Sequence, residues 1–429
     1  MSQLTTKIQI HVKEKASLLE PLSVKIETGE PKTAFRMTLE TKDDKGNVFI
    51  SKAVFESDEN GWIDVATCKP VSGDYESVDH LGMIWSMSVG KKNRMFVKHS
   101  AEAIIFDMNL YSCNGELLAN KSFERTFLEK PIIKEALQDD VVGSLFYPED
   151  QTDLPAIIIV GGSDGAVHES AAALLASEGY AVLALAYFGK EGLPKGIEHI
   201  PLEYVDHAFS LLESRMNVNQ DKLAIIGHSR GAELALLYAS NHTKVKAVIA
   251  SGASSVIFSG MINFQPTKKS AWTYKQVPYE FYAVEREFKD TVSFFRHLLL
   301  RKPYSGIETM KASLQDNERL ALYSIPVQNI QAPIMLFAGT DDHVQPAELF
   351  LNRMKADLHD HAYSEDNQFI LHSGAGHFAA FPSSLPNLPQ TVEESNALMT
   401  LTFGGTKKIN ADVAQQSWDE TVTFLHTHL

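Results

Sequence analysis

The pentapeptide Gly-His-Ser-Arg-Gly at positions 227–231 has the residues of a tight turn that presents a nucleophile. It follows the apolar run "LAII" and precedes "AELALL", so a strand would turn directly into a helix at Ser229. Such a corner strains its central residue, and glycines on either side leave room for neighbouring backbone. The start of a helix also favours developing negative charge. We therefore predict that Ser229 is a nucleophile, although the same pattern also occurs by chance in loops.

A serine hydroxyl needs a general base and a carboxylate that orients this base. When the nucleophile lies on a strand-to-helix corner, the acid and then the histidine follow it along the chain. The segment "LFAGTDDHVQP" places Asp341 and Asp342 after an apolar strand, and the spacing G-x-x-D-x-V favours Asp342. Asp341 is the reserve candidate. The alternative is that this acid caps the helix that begins near Pro346.

The chain has sixteen histidines, and position selects one of them as the base. His377 lies in "QFILHSGAGHFAAFP", on a glycine-bracketed loop that follows an apolar strand. His228 is inside the serine corner and is expected to point elsewhere, His343 adjoins the acid, and His372 is within the strand. We predict that His377 is the general base.

The negative charge of a tetrahedral intermediate needs hydrogen-bond donors. The backbone N–H of Arg230, the residue after the nucleophile, is one predicted donor. The second donor should come from "GGSDG", which follows the apolar run "AIIIV", because small side chains let the backbone approach the substrate. We choose Ser163 in this loop, with Gly162 as the next candidate.

Strands alternate with helices after about residue 140, which is typical of a parallel sheet covered on both faces. The predicted strands lie at 156–162, 181–188, 222–227, 246–252 and 333–339, and the predicted helices lie at 168–180 and 202–215. An aromatic-rich interval at 253–332 does not fit a simple crossover and could form a lid over a site. We predict an α/β catalytic domain over residues 141–429.

The amino-terminal third has the alternation of apolar and polar residues that half-buried strands show. Three runs carry it, "LSVKI", "FRMTL" and "FDMNL", and the turn sequences "DDKG", "DENG" and "CNG" separate such runs. This spacing suits an antiparallel β-sandwich. We predict that residues 1–140 form this sandwich, without catalytic groups, beside the catalytic domain.

Composition disfavours several classes of partner. The 429 residues include 54 acidic and 39 basic ones, and the formal charge of −15 would repel nucleic acid and anionic membrane surfaces unless a local patch overrides it. The chain starts without an apolar signal region and has no run of about 18 apolar residues, so we predict a cytoplasmic protein without a membrane span. Cys68 and Cys113 are predicted to be reduced thiols. We predict no metal and no cofactor.

Several longer stretches are similar to those of one family, among them "EPLSVKI", "HLGMIWSM", "FERTFL", "GSLFYP", "ALAYFGKEGLPK", "GHSRGAELAL", "GTDDH", "GAGHF" and "GGTKKINADVAQQSWDETVTFLHTHL". Over nearly its whole length the chain resembles the type I acyl-CoA thioesterase and bile acid-CoA:amino acid N-acyltransferase family. The resemblance implies an α/β-hydrolase fold with an immunoglobulin-like β-sandwich in front. It maps the family's Ser or Cys, Asp and His onto Ser229, Asp342 and His377.

The resemblance also implies a substrate and a reaction, namely hydrolysis of an acyl-CoA thioester through an acyl-enzyme. The spacing of the motifs alone permits an ester, lactone or peptide as well, as in carboxylesterases and dienelactone hydrolases. The family's other activity is transfer of the acyl group to an amino acid, and its transferases carry cysteine, so Ser229 favours hydrolysis. Lys268, Lys269, Arg301 and Lys302 are candidates for binding the CoA phosphates, or are solvated surface charges.

Overall fold

The structure is a computed structural model, and it describes residues 8–90, 94–285, 288–361, 366–378, 385–386, 391–393 and 400–429. None of the helices in these ranges combines the length and the apolar character that crossing a membrane requires.

The amino-terminal part consists of two mostly antiparallel sheets. One has the strand order β1-β3-β6 and the other the order β2-β9-β8-β4-β5-β7. The strands are β1 (Gln9–Val12), β2 (Lys15–Ser17), β3 (Val24–Glu27), β4 (Ala34–Lys42), β5 (Val48–Glu56), β6 (Trp62–Asp64), β7 (Ser72–Gly73), β8 (Ile104–Tyr111) and β9 (Leu117–Thr126), with the short helix α1 (Gly82–Trp85). The predicted alternation is confirmed along β4, where Phe35, Met37 and Leu39 are buried. Apolar side chains from both sheets form one core, as in a β-sandwich.

The rest of the chain is built around one large sheet and several short strand pairs. Its strands are β10 (Ile132–Gln138), β11 (Val142–Pro148), β12 (Leu154–Val160), β13 (Ala181–Leu185), β14 (Ile200–Pro201), β15 (Val218–His228), β16 (Ala247–Ser251), β17 (Ser259–Ile262), β18 (Gln265–Ser270), β19 (Trp272–Tyr274), β20 (Val277–Pro278), β21 (Ile334–Gly339), β22 (Gln368–His372), β23 (Thr391–Glu393) and β24 (Thr400–Thr402). Its helices are α2 (Glu169–Ser177), α3 (Leu202–Glu213), α4 (Arg230–Ala239), α5 (Phe288–Leu300), α6 (Ile307–Ser313), α7 (Asn317–Leu322), α8 (Ala347–His361) and α9 (Lys407–His428).

The large sheet has eight strands in the order β10-β11-β13-β12-β15-β16-β21-β22. The strands from β13 to β22 pair in parallel, whereas β10 and β11 form an antiparallel edge. Helices cover both faces, with α3, α4 and α8 on one side and α2 and α9 on the other. This topology confirms the predicted α/β-hydrolase fold. The sheet begins at Ile132, before the predicted domain boundary at residue 140.

Helix α2 lies between the large sheet and the sandwich. Every residue from Ser170 to Ser177 is buried, and its apolar side chains share one core with both parts. Hydrogen bonds fix both ends of the helix, because Ser170 Oγ donates to the Lys98 carbonyl at 3.2 Å and Ser177 Oγ accepts from the Glu129 N–H at 3.1 Å. The sandwich therefore replaces solvent on one side of α2.

The interval at 253–332 contains strands β17 to β20 and helices α5 to α7 instead of a simple crossover. Strand β19 pairs with β14, so Trp272 lies beside Ile200. The chain then returns to the sheet at β21. The interval is thus a folded insertion between two neighbouring strands of the sheet.

Candidate active site

Ser229 occupies the predicted corner between β15 and α4. Its backbone has φ 54° and ψ −117°, a strained conformation for a residue with a side chain. The positions on either side require glycine, because backbone carbonyl oxygens approach them too closely for a β-carbon. A β-carbon on Gly227 would lie 2.3 Å from the Gly231 carbonyl oxygen, and one on Gly231 would lie 2.3 Å from the Gly161 carbonyl oxygen.

The structure brings Ser229, His377 and Asp342 into one hydrogen-bonded chain. His377 Nε2 lies 3.0 Å from Ser229 Oγ, and His377 Nδ1 lies 2.7 Å from Asp342 Oδ2. The side chains of His377 and Asp342 are only 3% and 2% exposed. Since an ionised carboxylate only accepts hydrogen bonds, Nδ1 carries the proton and Nε2 is free to accept the serine proton.

The loop after β21 distinguishes the two candidate acids. Asp342 Oδ1 accepts hydrogen bonds from the N–H groups of Val344 at 2.8 Å and Gln345 at 3.1 Å, which leaves Oδ2 for His377. The Asp341 carboxylate instead lies 3.0 Å from His343 Nε2 and accepts from the Gly405 N–H at 2.8 Å. The structure therefore places Asp342, and not the reserve candidate, against His377.

The loop that was predicted to supply the second oxyanion donor lies against the serine. A β-carbon on Gly162 would be 3.3 Å from Ser229 Cβ, and Ser163 follows directly. Tyr187 Oη donates to the Gly161 carbonyl at 2.8 Å and lies 3.3 Å from the Gly162 carbonyl. In a trans peptide the N–H points opposite to the carbonyl, so the N–H groups of Gly162 and Ser163 point away from Tyr187.

A buried ion pair that was not predicted from the sequence fixes the first turn of α4. Arg230 Nη1 donates to Glu233 Oε2 at 2.6 Å, and Arg230 Nη2 donates to the Ser259 carbonyl at 3.0 Å. Glu233 Oε1 accepts from Trp272 Nε1 at 2.6 Å and from the Phe258 N–H at 3.1 Å. Burial raises the pKa of Glu233, and the Arg230 guanidinium opposes this shift. The network ties the insertion to α4, the helix that follows Ser229.

The expectation that His228 points elsewhere is wrong. Its ring centroid lies 5.0 Å from that of His377, because the strand end that carries it faces the histidine loop. Both ring nitrogens are buried without a hydrogen-bond partner among the described residues. Burial, with smaller effects of His377 and His168, holds the pKa of His228 well below its ordinary value of 6.5. The imidazole is therefore neutral at neutral pH.

Sequence signals exist for some of the missed residues. Glu233 is a charge inside the apolar helical run "AELALL", a position where a carboxylate is either solvated or paired. Tyr187 belongs to "ALAYFGKEGLPK", the stretch that general hydrolase chemistry does not require. No local pattern marks His228 as a neighbour of the base, since that contact depends on a loop far along the chain.

The candidate CoA-binding residues lie on two separate elements. Lys268 and Lys269 are on β18, where Lys269 Nζ lies 2.9 Å from Glu198 Oε2. Arg301 and Lys302 follow α5 directly. The described residues contain no group of three or more His, Cys, Asp or Glu side chains arranged to hold a metal ion. Cys68 and Cys113 are free thiols.

Known proteins are similar to this chain over most of its length. Acyl-coenzyme A thioesterase 1 of Mus musculus is 25% identical over 418 residues, which cover 96% of this chain and 94% of the relative. Acyl-coenzyme A amino acid N-acyltransferase 1 of Mus musculus is 26% identical over 422 residues, which cover 96% of this chain and 95% of the relative. Among solved structures, a puromycin-hydrolyzing peptidase of Mycobacterium tuberculosis has a TM-score of 0.44 and 13% identity, and the match covers 91% of this chain and 53% of that one.

Two family models match the chain. The model of the acyl-CoA thioester hydrolase/BAAT N-terminal region matches residues 19–139. The model described as BAAT / acyl-CoA thioester hydrolase C terminal matches residues 200–429, which is more than half of the chain and includes the serine, the aspartate and the histidine described above. The chain therefore belongs to the acyl-CoA thioester hydrolase/BAAT family.

Proposed function

We propose that the protein hydrolyses acyl-CoA thioesters to free acid and CoA, with Ser229 as nucleophile, His377 as general base and Asp342 as the orienting acid. The observation that carries this proposal is the unbroken contact from Asp342 Oδ2 through His377 to Ser229 Oγ, with distances of 2.7 Å and 3.0 Å. The sandwich is then non-catalytic, and the catalytic domain is the part built on the large sheet, which begins at Ile132 instead of residue 141.

The chemistry follows from the order of these contacts. His377 Nε2 takes the proton of Ser229 as Oγ attacks the thioester carbonyl, and Asp342 stabilises the resulting imidazolium. The N–H groups of Arg230 and Ser163 are the proposed donors to the oxyanion, with Gly162 as the alternative to Ser163. His377 then protonates the departing CoA sulfur. In the second half-reaction it activates water, which releases the acid from Ser229.

Two arguments support the choice of thioester over oxygen ester. The relatives include the acyl-CoA thioesterase named above, and the basic residues Lys268, Lys269, Arg301 and Lys302 are candidates for the CoA phosphates. The serine, histidine and aspartate alone do not discriminate, because both classes of ester pass through similar tetrahedral intermediates. A carboxylesterase is therefore the alternative that the substrate test must address.

The first test replaces the nucleophile. We expect Ser229→Ala to lower kcat by roughly three to six orders of magnitude and to leave the thermal unfolding curve unchanged. A fluorophosphonate probe should label the wild type and not the variant. Near-normal turnover by folded Ser229→Ala protein would exclude this serine as the nucleophile.

The second test identifies the substrate. With a series of acyl-CoA esters, each added CH₂ that is buried should raise kcat/KM by at most about fourfold until the pocket ends. Activity on simple esters without activity on any acyl-CoA would support the carboxylesterase. Simple esters therefore serve as the matched control for the thioester series.

Transfer of the acyl group to an amino acid is the second candidate function, since one relative is named as an N-acyltransferase. An acyl-serine ester reacts with amines less readily than an acyl-cysteine thioester, so Ser229 favours water as the acceptor. Incubation with an acyl-CoA and glycine or taurine, followed by mass spectrometry, separates the products. Amide as the main product would contradict the hydrolase, whereas a higher amide fraction in Ser229→Cys would support the reason given.

A further inference from the structure

Helix α5 carries a continuous apolar stripe on its solvent side. Phe288, Val292, Phe295 and Leu299 are 83%, 49%, 59% and 84% exposed. Their spacing of four, three and four residues places all of them on one face of a helix. Among the described residues, five of the fourteen large hydrophobic side chains classed as exposed lie on α5, with Leu300 as the fifth. Single exposed apolar residues are ordinary, but a contiguous stripe marks an interaction surface.

The opposite face of α5 attaches the helix to the protein. The ring centroids of Phe294 and His297 lie 5.2 Å and 5.7 Å from that of Tyr304. The following residue, Ser305, donates from Oγ to the His343 carbonyl at 2.6 Å, beside the acid Asp342. The helix is therefore held on the acid loop of the candidate active site, while its apolar stripe remains in contact with solvent.

The charges around the stripe select the partner. Residues 288–302 contain four basic side chains, Lys289, Arg296, Arg301 and Lys302, and one acidic side chain, Asp290, in a chain of net charge −15. The positive charge is concentrated at Arg296 and at the carboxyl end of the helix, at Arg301 and Lys302. A helix with an apolar face and basic residues beside it matches a surface that is apolar inside and anionic at its edge. A two-fold contact between two copies of α5 would instead bring equal positive charges together.

We propose that α5 is a docking helix for an anionic lipid surface. Phe288, Val292, Phe295 and Leu299 enter the boundary between headgroups and acyl chains, and basic side chains beside them meet lipid phosphates. This local patch overrides the repulsion that the total charge predicts for membranes. The proposal stands on the surface of α5. Because Arg301 and Lys302 are also candidates for the CoA phosphates, Arg296 is the basic residue that tests lipid binding separately from the proposed reaction.

Co-sedimentation with lipid vesicles tests the proposal. The wild type should sediment with vesicles of phosphatidylcholine mixed with phosphatidylglycerol, and salt should weaken this binding. Leu299→Asp should weaken it at least about tenfold, and Arg296→Glu should weaken it by a similar factor. Val71→Asp is the matched control, because Val71 is 65% exposed on the sandwich, and it should bind as the wild type does.

Three results would overturn the docking helix. The first is equal sedimentation of Leu299→Asp and the wild type with the anionic vesicles. The second is equal binding of the wild type to anionic vesicles and to vesicles of phosphatidylcholine alone. The third is a wild-type dimer that binds no lipid and that Leu299→Asp dissociates. All replaced side chains are exposed, so thermal unfolding should not change. Turnover of a dissolved, short-chain acyl-CoA by Leu299→Asp should equal that of the wild type, so a failure of lipid docking and a failure of the proposed reaction give different results.

Discussion

At the scale of single residues, the hydroxyl of Tyr187 donates a hydrogen bond to the loop that faces Ser229. Tyr187→Phe removes this hydrogen-bond donor and keeps the ring that packs on Trp272. If the loop N–H groups are the proposed oxyanion donors, we expect kcat to fall about tenfold with KM unchanged, because these groups lose their fixed direction. Steady-state kinetics with any turned-over ester or thioester measure both constants.

A change confined to KM, or equal kinetics in the wild type and Tyr187→Phe, would contradict this role for the hydroxyl. Thermal unfolding of the two proteins is the necessary control, since the tyrosine is buried. Loss of stability alone would lower the amount of folded enzyme. It would leave kcat and KM unchanged when both are calculated per folded molecule.

A second residue-scale prediction concerns pH and His228. Its folded-state pKa is lowered by burial, so below about pH 6.5 the unfolded chain binds more protons than the folded one, and the free energy of unfolding falls as the pH falls. His228→Leu removes this group. Between about pH 7.5 and about pH 5.5 we expect the wild type to lose about 1 kcal/mol more than the variant.

Urea unfolding at the two pH values measures this difference directly. His168, whose pKa burial also lowers, remains in both proteins and so does not contribute to the comparison. Parallel stability curves for the wild type and His228→Leu would show that the imidazole is protonated equally in the folded and unfolded states.

The sequence predicted that Ser229, Asp342 and His377 act together, because each follows a recognisable strand and has a side chain of the type that the chemistry demands, and the structure brings the three side chains into contact. The sequence was not sufficient for Tyr187, Glu233 or the contact of His228. Their roles arise from carbonyls and rings supplied by distant segments, such as the Gly161 carbonyl and the Trp272 indole. The sequence of one segment does not show that its polar group is buried, because the distant segments that bury it come together only in the folded chain.

At the scale of elements, the crossing of α4 over β12 requires glycine. A β-carbon on Gly231 would lie 2.3 Å from the Gly161 carbonyl oxygen and 2.4 Å from that of Val160. We expect Gly231→Ala to lose about 3 kcal/mol of unfolding free energy or to fail to fold, because backbone must move. Gly306→Ala is the control, since a β-carbon there meets nothing within 4 Å. Urea unfolding measures the free energy of unfolding of both variants. Equal values for Gly231→Ala, Gly306→Ala and the wild type would contradict this account.

Element prediction succeeded where strands are fully buried, whereas the sequence predicted no elements within the insertion. The apolar runs at β12, β13, β15, β16 and β21 all appear as parallel strands of one sheet. The strands of the insertion are short, and some pair with remote segments, as Trp272 does with Ile200. Such strands are too short to show an alternation of apolar and polar residues in the sequence. The aromatic residues there indicated a folded segment but not its elements.

At the scale of the whole molecule, the sandwich and the large sheet share the apolar cluster around α2. A fragment of residues 129–429 keeps all eight strands of the sheet and removes only the sandwich. We expect this fragment to aggregate, because the buried side chains of α2 become exposed to water. Sedimentation after expression measures how much of the fragment is aggregated. Co-expression of residues 1–128 as a separate chain should restore some soluble protein.

A soluble, monomeric fragment with the substrate profile of the full chain would contradict this prediction. It would show that the sheet and its helices reach a stable state with α2 uncovered. Two further contacts would be lost in the fragment and support the expected aggregation. Lys407 at the start of α9 donates to the Met87 carbonyl at 3.0 Å, and Lys408 Nζ lies 3.1 Å from Asp79 Oδ2.

The burial of α2 bears on how the protein is made. A ribosome delivers the chain from its amino end, so the strands up to Thr126 are available to pair before α2 leaves the exit tunnel. When the alanines and leucines of α2 emerge, an apolar surface that will cover them is already present. We therefore expect the amino-terminal sheets to shield the apolar side chains of α2 during synthesis, and reversing the order of the two parts in a permuted gene would remove that protection.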